Sequence, residues 1–374
     1  MDIGISGLVP ALEQDTVSHI FLVSGKSSFS LSGAEQLLQD HLKKYIVTTF
    51  SAYTPNPSLE DAVVGANLFR ESGADCIMAV GGGSAIDIAK LVKALIPFKG
   101  NETDFLARDI SESKHASLPL IAIPTTAGTG SEATHFAVVY HEGKKYSVAS
   151  SYLLPNACVI DPTLTQSMPP YLTACSGIDA LSQAIESFWN VNSTDKSREY
   201  ASRAMTLCFE HLEPAVLAPN EDHRTQMARA SFLAGKAINI TKTTAPHAIS
   251  YTLTSNYDIP HGHAVSMFLP WFLTYNFQLT DCDCNDSRGV DFVKARLLDI
   301  ARLLGTDDLT IATKRLQSLI QNIGLESNMK DLGVPTSATR AIAEGVNLER
   351  LKNNPRQPSS DCLSACAESL FQRS

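Results

Sequence analysis

The sequence predicts two domains of different class: an α/β domain with a Rossmann-like parallel sheet over residues 1–165, and an all-α domain over residues 166–374. In the first half, continuous apolar runs alternate with amphipathic segments, a pattern typical of buried parallel strands joined by crossover helices. After the Asp-Pro pair at 161–162 strand-like runs become rare, and from the Pro-Pro pair at 169–170 helical periodicity dominates. A chain of 374 residues is long enough for two separate cores.

Each predicted element follows from one of these patterns. The four apolar runs predicted as strands are residues 19–24, 45–50, 76–80 and 120–123. Helices are predicted in the same domain over residues 32–44, 58–72 and 85–93. In the second domain helices are predicted over residues 171–189, 197–217, 222–241, 244–254 and 263–278, and the helical tail is broken near Gly305, Gly324, Gly333 and Pro335.

Composition and charge exclude several classes of protein. A hydrophobic content of 44% and a charged content of 18% are those of a soluble globular protein. A net charge of -9 without basic runs argues against a nucleic-acid or membrane-surface binder. No apolar run approaches the roughly 18 residues of a membrane helix, and the start lacks the features of a signal peptide. The eight cysteines include no Cys-x2-Cys pair and are interpreted as mostly reduced thiols, so we expect a soluble cytoplasmic protein.

A glycine-rich turn follows the third predicted strand. Gly81-Gly82-Gly83-Ser84 leads directly into the helix that carries Asp87. Glycines let the backbone approach a phosphate closely, and the start of a helix favours an anion. A tight strand-to-helix turn accounts for the glycines equally well, and the chain does not spell Gly-x-Gly-x-x-Gly.

A second polar loop follows the fourth predicted strand. Residues 124–132 read Pro-Thr-Thr-Ala-Gly-Thr-Gly-Ser-Glu, with four hydroxyls interleaved with two glycines. Ligands of parallel sheets bind beyond the carboxyl ends of the strands, where both loops are expected. The pattern suits hydrogen bonding to a ribose and a diphosphate, and an ordinary polar turn is the alternative.

The second domain offers candidate metal ligands. Asp179 and Gln183 are four residues apart in a predicted helix, so both project from one face. Three of the ten histidines, His247, His261 and His263, lie within residues 245–263. A carboxylate, an amide oxygen and two imidazoles can form a single-ion site. For any one histidine, simple burial in the core is the alternative.

Taken together, these stretches resemble the iron-containing (group III) alcohol dehydrogenase family over nearly the whole chain. The resemblance rests on residues 81–90, residues 124–132, the sequence Gly177-Ile178-Asp179-Ala180 and the separation of His247 from His261. It implies a dehydroquinate synthase-like architecture, with a cleft between the domains where hydride passes between a nicotinamide and an alcohol or aldehyde. It also implies a homodimer or larger homo-oligomer.

The resemblance implies roles for individual residues. The cofactor would be NAD(P)H, and the metal a divalent ion, with Fe²⁺ expected and Zn²⁺ or Mn²⁺ as alternatives. The implied metal ligands are Asp179, Gln183, His247 and His261, and the implied cofactor-binding residues are Gly82, Gly83, Ser84, Asp87, Thr125, Thr126, Thr129, Thr134 and Lys145.

Three positions depart from the family pattern. Gln183 stands where most members have a ligating histidine, so metal preference is open and the site could be vestigial. Tyr251 replaces another histidine, and a phenol is a poorer base at neutral pH. Gly25, followed by Lys26, takes the place of an aspartate common in NAD-preferring members, which permits a 2′-phosphate and hence NADPH.

The approach to His247 is unusually polar. Residues 235–244 offer an amide, three hydroxyls and lysine ammonium groups, which suit an anion, although Lys236 and Lys242 can equally be solvated surface charges. With Gln183 and residues 244–251, this stretch resembles the phosphonoacetaldehyde reductase branch of the family. The expected reaction is reduction of phosphonoacetaldehyde to 2-hydroxyethylphosphonate, with Lys242 on the anion and Tyr251 or His263 as proton relays. A general primary-alcohol dehydrogenase, a dehydroquinate-synthase-like lyase and a metal-free binding protein are the alternatives.

Overall fold

The apolar runs of the first half form strands of a six-stranded parallel sheet, buried except for the run at 45–50. The computed structural model describes residues 2–4, 7–14, 17–98, 100, 102–107 and 118–372. The strands of this sheet are β1 (Asp2–Ile3), β2 (His19–Ser24), β3 (Ile46–Phe50), β4 (Cys76–Gly81), β5 (Leu120–Pro124) and β8 (Ala157–Ile160). Their order is β1-β8-β5-β4-β2-β3, and every pairing is parallel. The four predicted strands are therefore confirmed.

Helices cover both faces of this sheet. They are α1 (Leu8–Gln14), α2 (Ser28–Leu31), α3 (Ala34–Leu42), α4 (Leu59–Ser72), α5 (Gly83–Leu95) and α6 (Glu102–Ala107). Successive side chains of a strand point to opposite faces. Accordingly Phe21 of β2 packs with α4 and α5 in one apolar core, whereas its neighbours Ile20 and Leu22 pack with α1 and α3 in another. Two cores on opposite faces of one parallel sheet are the doubly wound arrangement.

A two-stranded antiparallel hairpin, which the sequence patterns did not predict, follows the second polar loop. It consists of β6 (Phe136–His141) and β7 (Lys144–Ala149), joined at Glu142 and Gly143. Both joining residues have positive φ, 48° and 72°. Such a pair of angles is that of the type I′ turn, which matches the twist of short hairpins.

The second unit is all-helical. The chain divides into Met1–Met168 and Pro169–Ser374. The helices of the second unit are α7 (Pro170–Trp189), α8 (Asp195–Leu217), α9 (Glu221–Thr241), α10 (Ala245–Tyr257), α11 (His261–Phe277), α12 (Val290–Leu303), α13 (Leu309–Asn322), α14 (Ala338–Glu344), α15 (Leu348–Leu351) and α16 (Ser360–Ser369). The fold class predicted from the sequence, α/β followed by all-α, is confirmed.

Helix α7 is the centre of this unit. It packs against α8, α9 and α11, and its residues from Gly177 to Trp189 are all buried. A helix that is apolar nearly all round is typical of the inside of a helical domain. Within the described part of the chain, no helix has both the length and the apolar character needed to cross a membrane.

Candidate functional site

One face of α7 carries three polar side chains in the interior of the helical unit. Asp179, Gln183 and Glu186 are spaced i, i+4 and i+7, so they lie in one row along the helix. All three are buried, and Glu186 has no exposed surface. Buried carboxylates persist only where hydrogen bonds or opposite charges compensate their lost hydration. The residues that hydrogen-bond to these three side chains, or lie close to their charges, therefore form the candidate site.

Asp179, His247 and His261 come together as a cluster of candidate ligands. One ligand atom from each residue lies within 4.8 Å of the others. The Nε2 atom of His247 is 3.3 Å from Oδ1 of Asp179, and the two imidazole rings are 5.2 Å apart between centroids. Two imidazoles and a carboxylate are a donor set that suits Fe²⁺ and other borderline divalent ions. The three residues thus fit the metal that the sequence implied.

The start of α11 sets the position of His261. A Cβ atom built on Gly262 would lie 1.9 Å from the carbonyl oxygen of Cys175 and 2.8 Å from Cβ of Asp179. The backbone of α11 therefore rests directly on α7, which only glycine permits. This contact holds His261 beside Asp179.

Glu186 orients His247 and was not among the residues predicted from the sequence. Its Oε2 accepts hydrogen bonds from the backbone N–H of Thr244 at 2.6 Å and from the Thr244 hydroxyl at 2.7 Å. Its Oε1 is hydrogen-bonded to Nδ1 of His247. A carboxylate on Nδ1 fixes the tautomer and directs Nε2 towards a metal. The i+7 spacing from Asp179 was the signal in the sequence.

His247 lies between two carboxylates. Burial alone lowers its pKa, but the charges of Glu186 and Asp179 and a hydrogen bond to each of them outweigh that effect and raise the pKa to about 9. With both ring nitrogens facing acceptors, the ring carries a compensating positive charge. A divalent cation bound at Nε2 can replace the Nε2 proton and balance the negative charge of the two carboxylates. The residues therefore again fit the implied metal.

Gln183 makes a different contact from the ligating role predicted for it. Its amide nitrogen donates to Oδ2 of Asp179 at 3.0 Å. The side chain therefore supports the carboxylate that faces His247. Its role as a ligand through the amide oxygen stays a prediction.

The two predicted proton relays have distinct surroundings. The Tyr251 ring stacks near His261, with centroids 6.0 Å apart, and burial raises the pKa of its phenol. His263 is held by both ring nitrogens, Nε2 at 2.7 Å from the carbonyl oxygen of Glu326 and Nδ1 at 3.1 Å from the Tyr171 hydroxyl. Because a carbonyl only accepts, Nε2 carries the proton and Nδ1 accepts from Tyr171. Burial lowers the pKa of His263, which keeps the ring neutral.

In the first unit, the glycine turn and the polar loop are adjacent. β4 and β5 are neighbours in register, Gly81 opposite Pro124, so their following loops start side by side. A Cβ atom built on Gly83 would lie 2.7 Å from Cγ2 of Thr129, and one on Gly82 would lie 3.3 Å from the Thr126 side chain. Both predicted nucleotide segments thus meet at the start of α5. Ser84 lies in the first turn of this helix, and Thr125 donates its N–H to the Gly81 carbonyl at 3.0 Å.

A buried lysine that was not singled out in the sequence joins these segments. Lys90 has no exposed surface, and its ammonium donates to the Ser131 carbonyl at 2.6 Å, the Thr134 hydroxyl at 3.0 Å and the Phe136 carbonyl at 2.9 Å. Thr134, predicted to line the nucleotide, therefore contacts Lys90 and is itself buried. The cofactor role of Thr134 stays a prediction.

Asp87 likewise ties α5 to its surroundings. Its carboxylate accepts from the Ser131 hydroxyl at 2.5 Å and from the Val138 N–H at 3.1 Å. Burial raises the pKa of Asp87 against the opposing charges of Lys90 and of Lys145, which lies on β7. These bonds make Asp87 a support of the polar loop, and its contact with a cofactor, like that of Lys145, stays a prediction.

The pKa values around Lys90 are displaced by burial. Desolvation lowers the pKa of Lys90 to about 8, although the charges of Asp87 and Glu132 oppose the change. Burial raises the pKa of Glu132 to about 7, against the charge of Lys90. This part of the first unit is therefore sensitive to pH near neutrality.

Comparisons with known proteins agree with this geometry. The family model "Iron-containing alcohol dehydrogenase" matches residues 5–162, and the model "Fe-containing alcohol dehydrogenase family, C-terminal" matches residues 173–371. The long-chain-alcohol dehydrogenase 1 of Geobacillus thermodenitrificans is 30% identical over 356 residues, which cover 92% of this chain and 87% of that protein. The phosphonoacetaldehyde reductase of Streptomyces viridochromogenes is 32% identical over 316 residues, covering 82% of this chain and 79% of that protein.

A solved structure covers the whole chain. The sulfoacetaldehyde reductase from Bifidobacterium kashiwanohense, in complex with NAD+, superposes with a TM-score of 0.87 at 30% identity, covering 100% of this chain and 98% of that one. The α/β and all-helical units together have the dehydroquinate synthase-like fold of solved iron-containing alcohol dehydrogenases. The chain is therefore a member of the iron-containing alcohol dehydrogenase family, and an oxidoreductase.

Proposed function

We propose that the chain is a metal-dependent NAD(P)H aldehyde reductase that acts on a small anionic aldehyde, converting phosphonoacetaldehyde to 2-hydroxyethylphosphonate. The observation that carries the proposal is the buried cluster of Asp179, His247 and His261, with Glu186 behind it. Two of the relatives support the choice of substrate, since one is named for phosphonoacetaldehyde and the other for sulfoacetaldehyde. Both of those substrates are two-carbon aldehydes with an anionic end.

Asp179, His247 and His261 would hold the metal, with Fe²⁺ expected and Zn²⁺ or Mn²⁺ as alternatives. A divalent ion supplies a Lewis acid for the carbonyl oxygen, and the nicotinamide supplies the hydride. Glu186 keeps the proton of His247 on Nδ1, which leaves the Nε2 lone pair for the ion. Asp179 contributes negative charge, and Gln183 holds that carboxylate in place.

The alcohol also requires a proton, and Tyr251 is the proposed donor. Because burial raises the pKa of Tyr251, the phenol keeps its proton at neutral pH and can donate it. His263, the other expected relay, holds its single proton on Nε2 against the Glu326 carbonyl and accepts from Tyr171 on Nδ1, so in this arrangement it has no proton to donate.

Lys242 is the proposed anion-binding group. It caps the C-terminal end of α9 with φ +63°, a left-handed conformation that non-glycine residues rarely adopt and that is common at functional sites. Lys236, the other candidate in this stretch, has its ammonium over the Tyr200 ring at 4.6 Å. A lysine packed on an aromatic ring is a structural contact. The anion hypothesis is therefore restricted to Lys242.

The proposed cofactor is NADH or NADPH. Gly25 follows β2 and takes the place of the aspartate that would repel a 2′-phosphate, and the adjacent Lys26 is exposed. We also propose a homodimer or larger homo-oligomer, as in the family, which light scattering after size-exclusion chromatography measures.

The test is oxidation of NADH and NADPH at 340 nm by protein stripped of metal and resupplied with Fe²⁺, Zn²⁺ or Mn²⁺. Phosphonoacetaldehyde and butanal serve as the anionic and neutral substrates. We expect turnover only with metal, and a KM for phosphonoacetaldehyde that rises about tenfold or more in Lys242→Ala with little change for butanal, since a charged hydrogen bond contributes about 1.5–3 kcal/mol. Lys236→Ala is the matched control and should leave both KM values unchanged. Equal effects of Lys242→Ala on the two substrates would remove this lysine from the anion site.

The same assay decides between the alternatives. A general primary-alcohol dehydrogenase, favoured by the long-chain-alcohol relative, would oxidise butanol and reduce butanal better than phosphonoacetaldehyde. A lyase of the dehydroquinate-synthase type would consume no NADH or NADPH.

A further inference from the structure

A second group of metal-binding side chains lies on the α8–α9 hairpin of the helical unit. His211 lies near the end of α8, and Asp222 and His223 lie in the first turn of α9, on the other side of the short connection. One ligand atom from each of the three lies within 4.8 Å of the others. None of these residues belongs to the Asp179 cluster.

The imidazole rings of the two histidines face each other through their Nδ1 atoms. The Nδ1 atoms of His211 and His223 are 3.0 Å apart, and their rings are tilted by 50°. Two nitrogens bound to one tetrahedral zinc ion at about 2.0–2.1 Å are separated by roughly 3.3 Å. An ion between the rings thus requires their nitrogens to part by only a few tenths of an ångström. The backbone of His223 is fixed meanwhile, because Asn220 accepts its N–H at 2.8 Å.

The remaining donors also suit a cation. Asp222 is exposed, and its Oδ1 accepts a hydrogen bond from the Gln226 amide at 2.9 Å, so turning the carboxylate towards the rings exchanges only this exposed contact. The other nitrogen of His211, Nε2, lies 3.9 Å from the carboxylate of Glu210. This separation is longer than a hydrogen bond, so Glu210 contributes negative charge near the ring.

We propose that His211, His223 and Asp222 bind a second divalent ion of the zinc class, with one coordination position open to water. Two imidazoles and one carboxylate select borderline ions, Zn²⁺, Co²⁺, Ni²⁺ or Cu²⁺, over Mg²⁺ and Ca²⁺. The ion joins α8 to α9 across their connection and stabilises the folded helical unit by mass action. This site is independent of the proposed reductase activity.

The test is calorimetric titration of the full chain, stripped of metal, with Zn²⁺. The wild type should bind two ions per chain. His223→Ala should bind only the ion of the Asp179 cluster, and His261→Ala should bind only the ion of the second site. Asp222→Asn should weaken the second ion by about tenfold or more, whereas Glu221→Gln, which changes an exposed carboxylate in the same turn, should not. His223→Ala should reduce aldehydes as the wild type does.

The experiment tests the two proposed metal sites separately. If His223→Ala still binds as many ions as the wild type, or if the wild type binds only the ion that His261→Ala removes, the second site is overturned. Failure of the Asp179 cluster to bind would instead count against the proposed reductase. A measurement without substitutions guards against misfolded variants: anomalous scattering from zinc-soaked crystals should place a peak within about 2.1 Å of both Nδ1 atoms. An empty position there, beside an occupied Asp179 cluster, also overturns the proposal.

Discussion

Replacing Glu186 by glutamine should weaken metal binding without removing a single metal ligand. The carboxylate accepts from Thr244 on one oxygen and from His247 on the other. Glutamine has only one acceptor, which the two Thr244 donors would occupy. The amide NH2 group would then face Nδ1 of His247, so that nitrogen must become an acceptor. The ring proton moves to Nε2, where it blocks the ion.

The expected loss of metal affinity is taken from other proteins in which a carboxylate that hydrogen-bonds a metal-bound histidine has been removed. Loss of such a partner weakens metal affinity about 10–100-fold, which is roughly 1.4–2.7 kcal/mol. The fold should also lose stability, since a buried hydrogen bond to a charged group contributes about 1.5–3 kcal/mol. Ser182→Ala is the matched control, because Ser182 is also fully buried on α7 but donates only to the Ile178 carbonyl of its own helix.

Metal affinity is measured by competition with a coloured chelator, and the fold is checked by circular dichroism. The decisive observation is the protonation of His247 in the metal-free protein, read from its ring nitrogen chemical shifts: the wild-type ring should carry a proton on both nitrogens, and the Glu186→Gln ring only on Nε2. A merely structural glutamate would leave that protonation unchanged. If folded Glu186→Gln binds the ion within twofold of the wild type, the orientation argument is wrong.

Two further predictions concern a pKa and a close backbone contact. Because the folded-state pKa of Glu132 is about 7 against an ordinary 4.5, its stabilising contribution is complete below about pH 4.5 and is lost as pH rises through 7. In Glu132→Gln, the fall in free energy of unfolding between these pH values, followed by urea denaturation, should shrink by on the order of 1–3 kcal/mol; an unchanged pH dependence would contradict the burial argument. Gly262→Ala should destabilise the fold by more than about 3 kcal/mol and abolish metal binding, since its Cβ meets the Cys175 backbone. Gly177→Ala should cost less, because its Cβ meets the movable end of Leu212, and thermal melting that ranks the two variants the other way would refute this.

Much of the fold could be predicted from the sequence because its central strands are buried on both faces. β2, β4 and β5 are continuous apolar runs, and short runs of this kind bounded by glycine or proline are typical of strands inside a parallel sheet. The hairpin of β6 and β7 was missed because its strands are partly exposed and do not form continuous apolar runs. β8, with four residues, and β1, with two, are too short to show a period.

Those residues of the site whose type and spacing are typical of metal ligands could be predicted from the sequence. Asp179, His247 and His261 carry the chemistry of metal ligands in their side chains, and the structure brings them together. Glu186 was missed because a carboxylate that acts through a histidine has no signature apart from its position on the helix. For Gln183 the residue type alone was not sufficient, because an amide can turn either its oxygen or its nitrogen towards a neighbour. In the structure the nitrogen faces Asp179 and donates a hydrogen bond to it.

The buried ammonium of Lys90 has a consequence for how ligands of the polar loop bind. It fastens the loop to α5 through Ser131 and Thr134, with no part of the lysine exposed. The end of the loop that Lys90 holds is therefore ordered when the protein folds, and ordering of these residues does not oppose ligand binding. Hydrogen exchange of the Ser131 and Thr134 amides should consequently be slow even in the ligand-free protein.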